Sequence, residues 1–151
     1  MPAFSLPALL RAVLVWLVII VAESAHGAIR RLLFSPEATF TIRQLSVLVG
    51  AIMIFAITWV FLDWIRIRTA RGALAIGAVW VVLTAAFEVA LGRLTGLGWD
   101  RILADYDLTR GGLMGLGLLA MGLTPWAVRQ LQDGRAARRH RALARKLGRA
   151  P

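Results

Sequence analysis

The chain has 151 residues, of which 59% are hydrophobic and only 17% are charged, yet its formal net charge is +10. The apolar content excludes an intrinsically disordered chain, and the absence of cysteine excludes a small disulfide scaffold. Ordinary globular domains are about 45–50% apolar, so this composition predicts a membrane protein.

Four segments are apolar enough to form membrane-spanning helices, each of which needs about 20 residues. The four predicted spans are 9–29, 44–65, 72–92 and 110–128. The strand-type alternation of a membrane barrel is absent, so helices must satisfy the backbone within the lipid. The sequence therefore predicts an all-α, four-transmembrane-helix bundle over residues 1–128 and a basic cytoplasmic tail over residues 129–151.

The distribution of Lys and Arg predicts the orientation. Twelve of these residues lie on the side that holds both termini, and six lie on the other side. The positive-inside rule then places both termini in the cytoplasm of a bacterium, with the bundle in its inner membrane. Eight of the twelve belong to the tail, so the tail decides the orientation. A signal peptide cleaved near Ala25–Ala28 is the rival interpretation of the first span.

Two stretches of similar sequence indicate an internal repeat. The pattern Glu-x-Ala-x-Gly occurs at Glu23–Gly27 in the first span and at Glu88–Gly92 in the third. In two further sets, an arginine is followed by a glycine after seven residues and by a tryptophan after another nine. The sets are Arg43, Gly50 and Trp59, and Arg110, Gly117 and Trp126. These patterns predict two tandem helical hairpins in the same orientation. The alternative is chance similarity between two hairpins rich in Leu, Ala and Gly.

The two glutamates within the spans are the main candidate site residues. An ionisable group there costs about 3 kcal/mol on insertion scales and normally faces the bundle interior with a partner. His26 lies one turn from Glu23, and Thr84, one turn before Glu88, is placed to donate a hydroxyl hydrogen bond to it. Two close carboxylates in a low dielectric do not both ionise easily. The pair therefore predicts binding or proton-coupled movement of a small solute or ion.

Two arginines at the starts of spans leave other interpretations open. Arg43 and Arg110 set the charge balance of the site in the first interpretation. In the second, each arginine is paired with a glutamate, and the protein is a non-catalytic structural or accessory membrane subunit. A third uses the Glu-x-x-His spacing of Glu23 and His26, together with Glu88, as the metal site of a membrane oxidoreductase.

The tail is predicted to contact lipid rather than nucleic acid. A basic residue near anionic headgroups contributes about 1 kcal/mol, and the tail has no aromatic residue on which a base could stack. The predicted lipid-contacting residues are Arg135, Arg138, Arg139, Arg141, Arg145 and Lys146. Because no nucleophile set or phosphate-binding loop is present, we expect neither an enzyme nor a cofactor. A homo-oligomer or a membrane partner stays open.

Four segments of the sequence resemble a family of small bacterial membrane proteins. They are AESAHGAIR at 22–30, RQ at 43–44, FEVALGR at 87–93 and DYDLTRGGL at 105–113. The resemblance covers most of residues 8–128 and implies a four-span fold but no activity, since none is assigned to that family. The small multidrug-resistance transporters are similar in having four helices and a glutamate in the first. This chain lacks the glycine- and tyrosine-rich signature of their later helices, so that likeness is an analogy only.

Overall fold

The computed structural model describes residues 5–33, 40–107, 109 and 112–146, without the side chains of residues 31 and 40–44. Every element in this part of the chain is a helix. The five helices are α1 (Leu6–Leu33), α2 (Phe40–Ile65), α3 (Ala70–Leu94), α4 (Trp99–Ala104) and α5 (Met114–Lys146). The prediction of an all-α fold is therefore confirmed.

Three of the described helices are long and apolar enough to cross a membrane. These segments are Leu6–Arg30 of α1, Leu45–Ile65 of α2 and Ala70–Leu94 of α3, and they overlap the first three predicted spans. The longest helix, α5, is not among them, because its apolar part ends at Val128 and a polar stretch begins at Arg129. The three apolar helices indicate a membrane protein.

Large apolar side chains cover the outward faces of these helices. On α1, Leu14 is 53% and Val21 is 69% exposed, and on α2, Ile52 is 58% and Val60 is 69% exposed. Monomeric soluble proteins rarely expose apolar surface on this scale. Lipid tails are as apolar as these side chains, so a membrane accommodates such faces without penalty.

Two tryptophans join α1 to α3 in the core. The indole N–H of Trp16 donates to Thr84 Oγ1 at 3.0 Å, and that of Trp80 donates to the carbonyl oxygen of Ala12 at 2.9 Å. The partner lies 68 residues away in both bonds, so α1 and α3 run parallel. Phe87 adds an edge-on contact with Trp16, with 6.5 Å between the ring centroids.

The helices α3 and α5 approach each other closely at two glycines. A side chain at Gly77 would overlap the carbonyl oxygen of Gly122, so the two backbones touch at these glycines. The hydroxyl of Thr84 also donates to Met121 Sδ at 3.1 Å, which connects α1, α3 and α5 through one side chain. Beyond this contact α5 continues unbroken to Lys146, so the described part of the predicted tail is helical.

Local signals explain where α3 begins and ends. Thr69 is its N-cap, and the threonine hydroxyl accepts a hydrogen bond from the Gly72 N–H at 3.1 Å. The chain leaves the helix through Gly96, whose φ of 83° is reached without steric cost because glycine has no Cβ. A short α4 follows, and its Ile102 is buried, with Cδ1 within 3.1 Å of a Cβ built at Gly92.

Candidate functional site

Glu23 lies where α1 meets α2, and its carboxylate packs against Gly50. A Cβ added at Gly50 would be 2.8 Å from Glu23 Oε2, which is too close for ordinary packing. The missing side chain at Gly50 therefore makes the space that the carboxylate occupies. This contact joins a residue of the first predicted span to a glycine of the second.

His26 extends the polar group toward α2. Its Nδ1 lies 3.7 Å from Glu23 Oε2, and its Nε2 lies 3.4 Å from Ser46 Oγ. The side chains of His26 and Glu23 are only 20% and 28% exposed. A carboxylate, an imidazole and a hydroxyl thus form a short line of groups that can exchange protons across the α1–α2 contact.

One oxygen of the glutamate has no partner. Glu23 Oε1 is buried and finds no hydrogen-bond donor in the part of the chain that the structure describes. A buried polar atom without a partner costs free energy, and an unpaired charge costs far more. A proton, a cation or a basic side chain at Oε1 would lower that cost.

Glu88 occupies different surroundings on α3. Its side chain is exposed, and its charge acts on Tyr106, in the turn that follows α4. Burial, and then the negative charges of Glu88 and Asp105, raise the pKa of Tyr106 above its usual value of about 10. This part of the molecule is the end of the bundle formed by the α3–α4 loop.

Thr84 is used differently from the prediction. Its oxygen accepts the Trp16 bond, and its single hydroxyl proton goes to Met121 Sδ. The hydrogen bond to Glu88 that the sequence suggested is therefore not made. Thr84 joins three helices through these two bonds, and its part in proton binding stays a prediction.

The remaining predictions for the site have separate outcomes. The Arg43 side chain and all of Arg110 lie outside the described residues, so their pairing with the glutamates stays a prediction. Among the described residues, no three His, Asp or Glu side chains come together to hold a metal ion. Glu23, His26 and Glu88 all belong to that part, so the structure lends the metal-site hypothesis no support.

Comparisons with protein-family models, with curated proteins and with solved structures found no match to this chain. The resemblance to four-span bacterial proteins therefore stays an expectation. A functional assignment rests on the geometry of the residues themselves.

Some residues of the site escaped the sequence interpretation. Gly50 was recognised only as part of the repeat, and Ser46 was not recognised at all. A glycine within a span is a signal for close approach of another helix or side chain, but the pattern does not say which group approaches. Trp16 and Trp80 carried a clearer signal, since an indole N–H buried in an apolar bundle needs an acceptor.

The titration of Tyr106 gives a direct test of the loop geometry. Tyr106 is the only tyrosine, so the tyrosinate absorbance of the whole protein reports on this residue alone. We expect a midpoint above about 10 in the folded protein and an ordinary one in denaturant. Because the folded state holds the proton more tightly, the stability that this group adds is present below pH 10 and is lost as the pH rises further.

Two variants check the cause of that shift. Asp105→Asn removes one of the negative charges and is expected to lower the Tyr106 midpoint. Tyr106→Phe is expected to remove the absorbance change and to flatten the loss of stability above about pH 10. A midpoint that is the same in folded and unfolded protein would contradict the packing described for this loop.

Proposed function

We propose that this protein binds and passes a proton or a small cation at Glu23, within a four-span bundle of two hairpins in a bacterial inner membrane. The observation that carries the proposal is the buried Oε1 of Glu23, which has no hydrogen-bond partner among the described residues. Binding there would add a partner for a carboxylate that, in the described part of the chain, has only His26 beside its other oxygen.

The packing of α5 supports a fourth span. Its apolar part, Met114–Val128, lies against α3 and is about 22 Å long at 1.5 Å per residue. The contact of Gly77 with Gly122 is the small-residue approach typical of helices associated in lipid. Four crossings would return the chain to its starting side, with both termini cytoplasmic under the positive-inside rule.

The two-hairpin arrangement is supported by the contacts of α1 with α3. Trp16 lies seven residues before Glu23 and Trp80 lies eight residues before Glu88, and each donates its indole N–H to the other helix. Parallel α1 and α3 are what two hairpins of the same orientation require. In this arrangement Glu23 and Glu88 belong to equivalent helices.

The chemistry of the site follows from its groups. A carboxylate with a free oxygen accepts a proton or an inorganic cation, and the imidazole of His26 exchanges the proton with it. Ser46 holds the far nitrogen of that imidazole. We assign Glu88, beside Tyr106 at the loop end of the bundle, as the second carboxylate that a moving cation meets. We assign no reaction chemistry and no cofactor.

The alternative from another class is a structural or accessory subunit. Glu23 contacts Gly50 across the α1–α2 boundary, so the same side chain also contributes to helix packing. A purely structural Glu23 would matter for folding and for nothing else. The two functions therefore differ in what a folded Glu23 variant can still do.

Glu23→Gln is the central test. We expect the variant to fold, to lose a protonated-carboxyl infrared band that titrates in the wild-type protein, and to lose proton uptake by vesicles under a potassium diffusion potential. A matched control is Asp100→Asn, which makes the same chemical change at an exposed position on α4. If the Glu23→Gln variant failed to fold and the wild-type protein showed no infrared band assignable to Glu23, the structural alternative would be favoured.

Gly50→Ala keeps the Glu23 carboxyl group but places a methyl group in the space that this carboxyl group occupies. The added methyl would push against Oε2, so we expect the Glu23 band to titrate at a different pH and proton uptake to fall. Since the displaced group is the end of a flexible side chain, folding should be kept. An unchanged titration would mean that Gly50 does not position the carboxylate.

A further inference from the structure

The first part of the predicted tail is docked on α2. Arg129 Nη2 lies 2.6 Å from Asp133 Oδ1, and its Nη1 lies 3.6 Å from Oδ1 of Asp63, near the end of α2. The Gln132 amide donates to the carbonyl oxygen of Trp59 at 3.2 Å, and the Arg135 guanidinium lies 4.6 Å from the centroid of the Trp59 ring. Contact with the bundle thus extends well beyond the predicted end of the fourth span.

One turn beyond Arg135, three arginines share a face of α5. Arg138, Arg141 and Arg145 are spaced i, i+3 and i+7, and with Ala142 they line an open groove of about 370 Å³. No acidic residue occurs between positions 134 and 146, and the nearest one, Asp133, is paired with Arg129. Within the described part of α5, the charge of this arginine face is therefore not neutralised along the helix.

We infer that the arginine face, Arg138, Arg141 and Arg145, is a docking surface for anionic lipid headgroups. Charge complementarity identifies the partner, because planar guanidinium groups bind phosphate through paired hydrogen bonds. Neither the face nor the residues beside it include a Phe, Tyr or Trp side chain on which a nucleic acid base could stack.

The position of the face fits a membrane surface. Tryptophans are enriched at the membrane–water interface, and Arg135 stacks on Trp59, which lies six residues before the end of α2. The three arginines lie about 5–15 Å farther along the helix than Arg135. That distance is comparable with the Debye length of about 8–10 Å, so the face lies within reach of the negative surface potential.

The arginine face includes only some of the basic residues of the tail. Arg135 is occupied by Trp59, and Arg139 lies about 100° around the helix from Arg138. Lys146 falls on the side of Arg139 rather than on the arginine face. Residues of equal charge thus divide into a binding face and a non-binding face on one helix.

Site-directed labelling of the full-length protein tests the inference, since the chain has no cysteine of its own. A spin label at Ala142→Cys lies beside the three arginines, and a control label at Leu143→Cys lies about 140–160° around α5 from each of them, at an exposed position. In vesicles of phosphatidylcholine with increasing phosphatidylglycerol, we expect the label at 142 to become immobilised and shielded from a water-soluble relaxing agent. The label at 143 should change little.

Matched double variants separate the face from total charge. Arg138→Gln with Arg145→Gln should weaken lipid binding by the face by about fivefold per arginine removed, and so shift the midpoint to a higher phosphatidylglycerol fraction. Arg139→Gln with Lys146→Gln removes the same charge and should leave the midpoint nearly unchanged. Equal effects of the two doubles, or equal changes at positions 142 and 143, would overturn a specific lipid-binding face.

Two further outcomes decide against this partner. Immobilisation at 142 by added RNA in pure phosphatidylcholine, with no response to phosphatidylglycerol, would assign the face to nucleic acid. No response to either probe would overturn the proposal outright. Proton uptake and the Glu23 infrared band are expected to stay intact in the double variants, so this test is independent of the proposed function.

Discussion

Replacing Gly77 by alanine is expected to destabilise the protein by about 3 kcal/mol, because the methyl group would overlap backbone atoms of α5. The carbonyl carbon of Gly122 would lie 2.8 Å and its Cα 3.2 Å from the new Cβ. A backbone cannot turn aside as a flexible side chain can, so α3 and α5 would have to separate. Thermal unfolding in detergent measures the loss.

A glycine on the facing helix provides the control. Gly117 of α5 has no atom within 4 Å of an added Cβ. Alanine is favoured over glycine in a helix by about 1 kcal/mol, so Gly117→Ala should be neutral or stabilising. If the two alanine variants melted alike, the close contact of Gly77 with Gly122 would not exist in the protein.

Trp80→Ala is expected to have the second large effect, a loss of about 3–5 kcal/mol. The side chain is 0% exposed, and its removal would leave a cavity between α1 and α3. The Ala12 carbonyl oxygen would also lose the indole donor. Trp80→Phe keeps most of the ring and loses mainly that hydrogen bond, so its cost should be nearer 1 kcal/mol.

Trp99 is the matched position outside the core. It is 55% exposed on α4 and contacts Arg93, whose guanidinium lies 5.3 Å from its ring centroid. Trp99→Ala should therefore cost less than about 1 kcal/mol. Similar losses at positions 80 and 99 would contradict the buried α1–α3 contact. Denaturant or thermal unfolding of the three tryptophan variants in one detergent makes the comparison.

The candidate site was predictable only in part. The i, i+3 spacing placed His26 beside Glu23, because a single helix determines which residues share its face. Gly50 and Ser46 lie on another helix, and their positions depend on how α2 is rotated against α1. Local spacing carries no information about that rotation.

Thr84 also shows that local spacing does not determine which hydrogen bonds a side chain makes. One turn separates it from Glu88, so the sequence favoured a bond within α3. The structure gives its hydroxyl proton to Met121 and its oxygen to Trp16, both on other helices. Such long-range partners compete with local ones, and only the packed arrangement of helices decides between them.

The properties of the tail were likewise predictable only in part. Its basic composition was evident from the sequence and led to the prediction that it contacts anionic lipid. The sequence did not indicate that Arg135 stacks on Trp59 or that Gln132 binds the Trp59 carbonyl oxygen. These contacts involve Arg135 but not Arg138, Arg141 and Arg145, which form the face that we propose binds lipid.

The sequence by itself determined the class of protein and its helices, since apolar length and backbone hydrogen bonding admit few solutions in a membrane. Tertiary structure alone decided which polar groups meet: Glu23 with Gly50, Trp16 with Thr84, and Trp80 with Ala12. The physical reason is that the apolar faces of these helices are similar in character. Their rotation and register therefore depend on specific shape and hydrogen bonds, not on hydropathy.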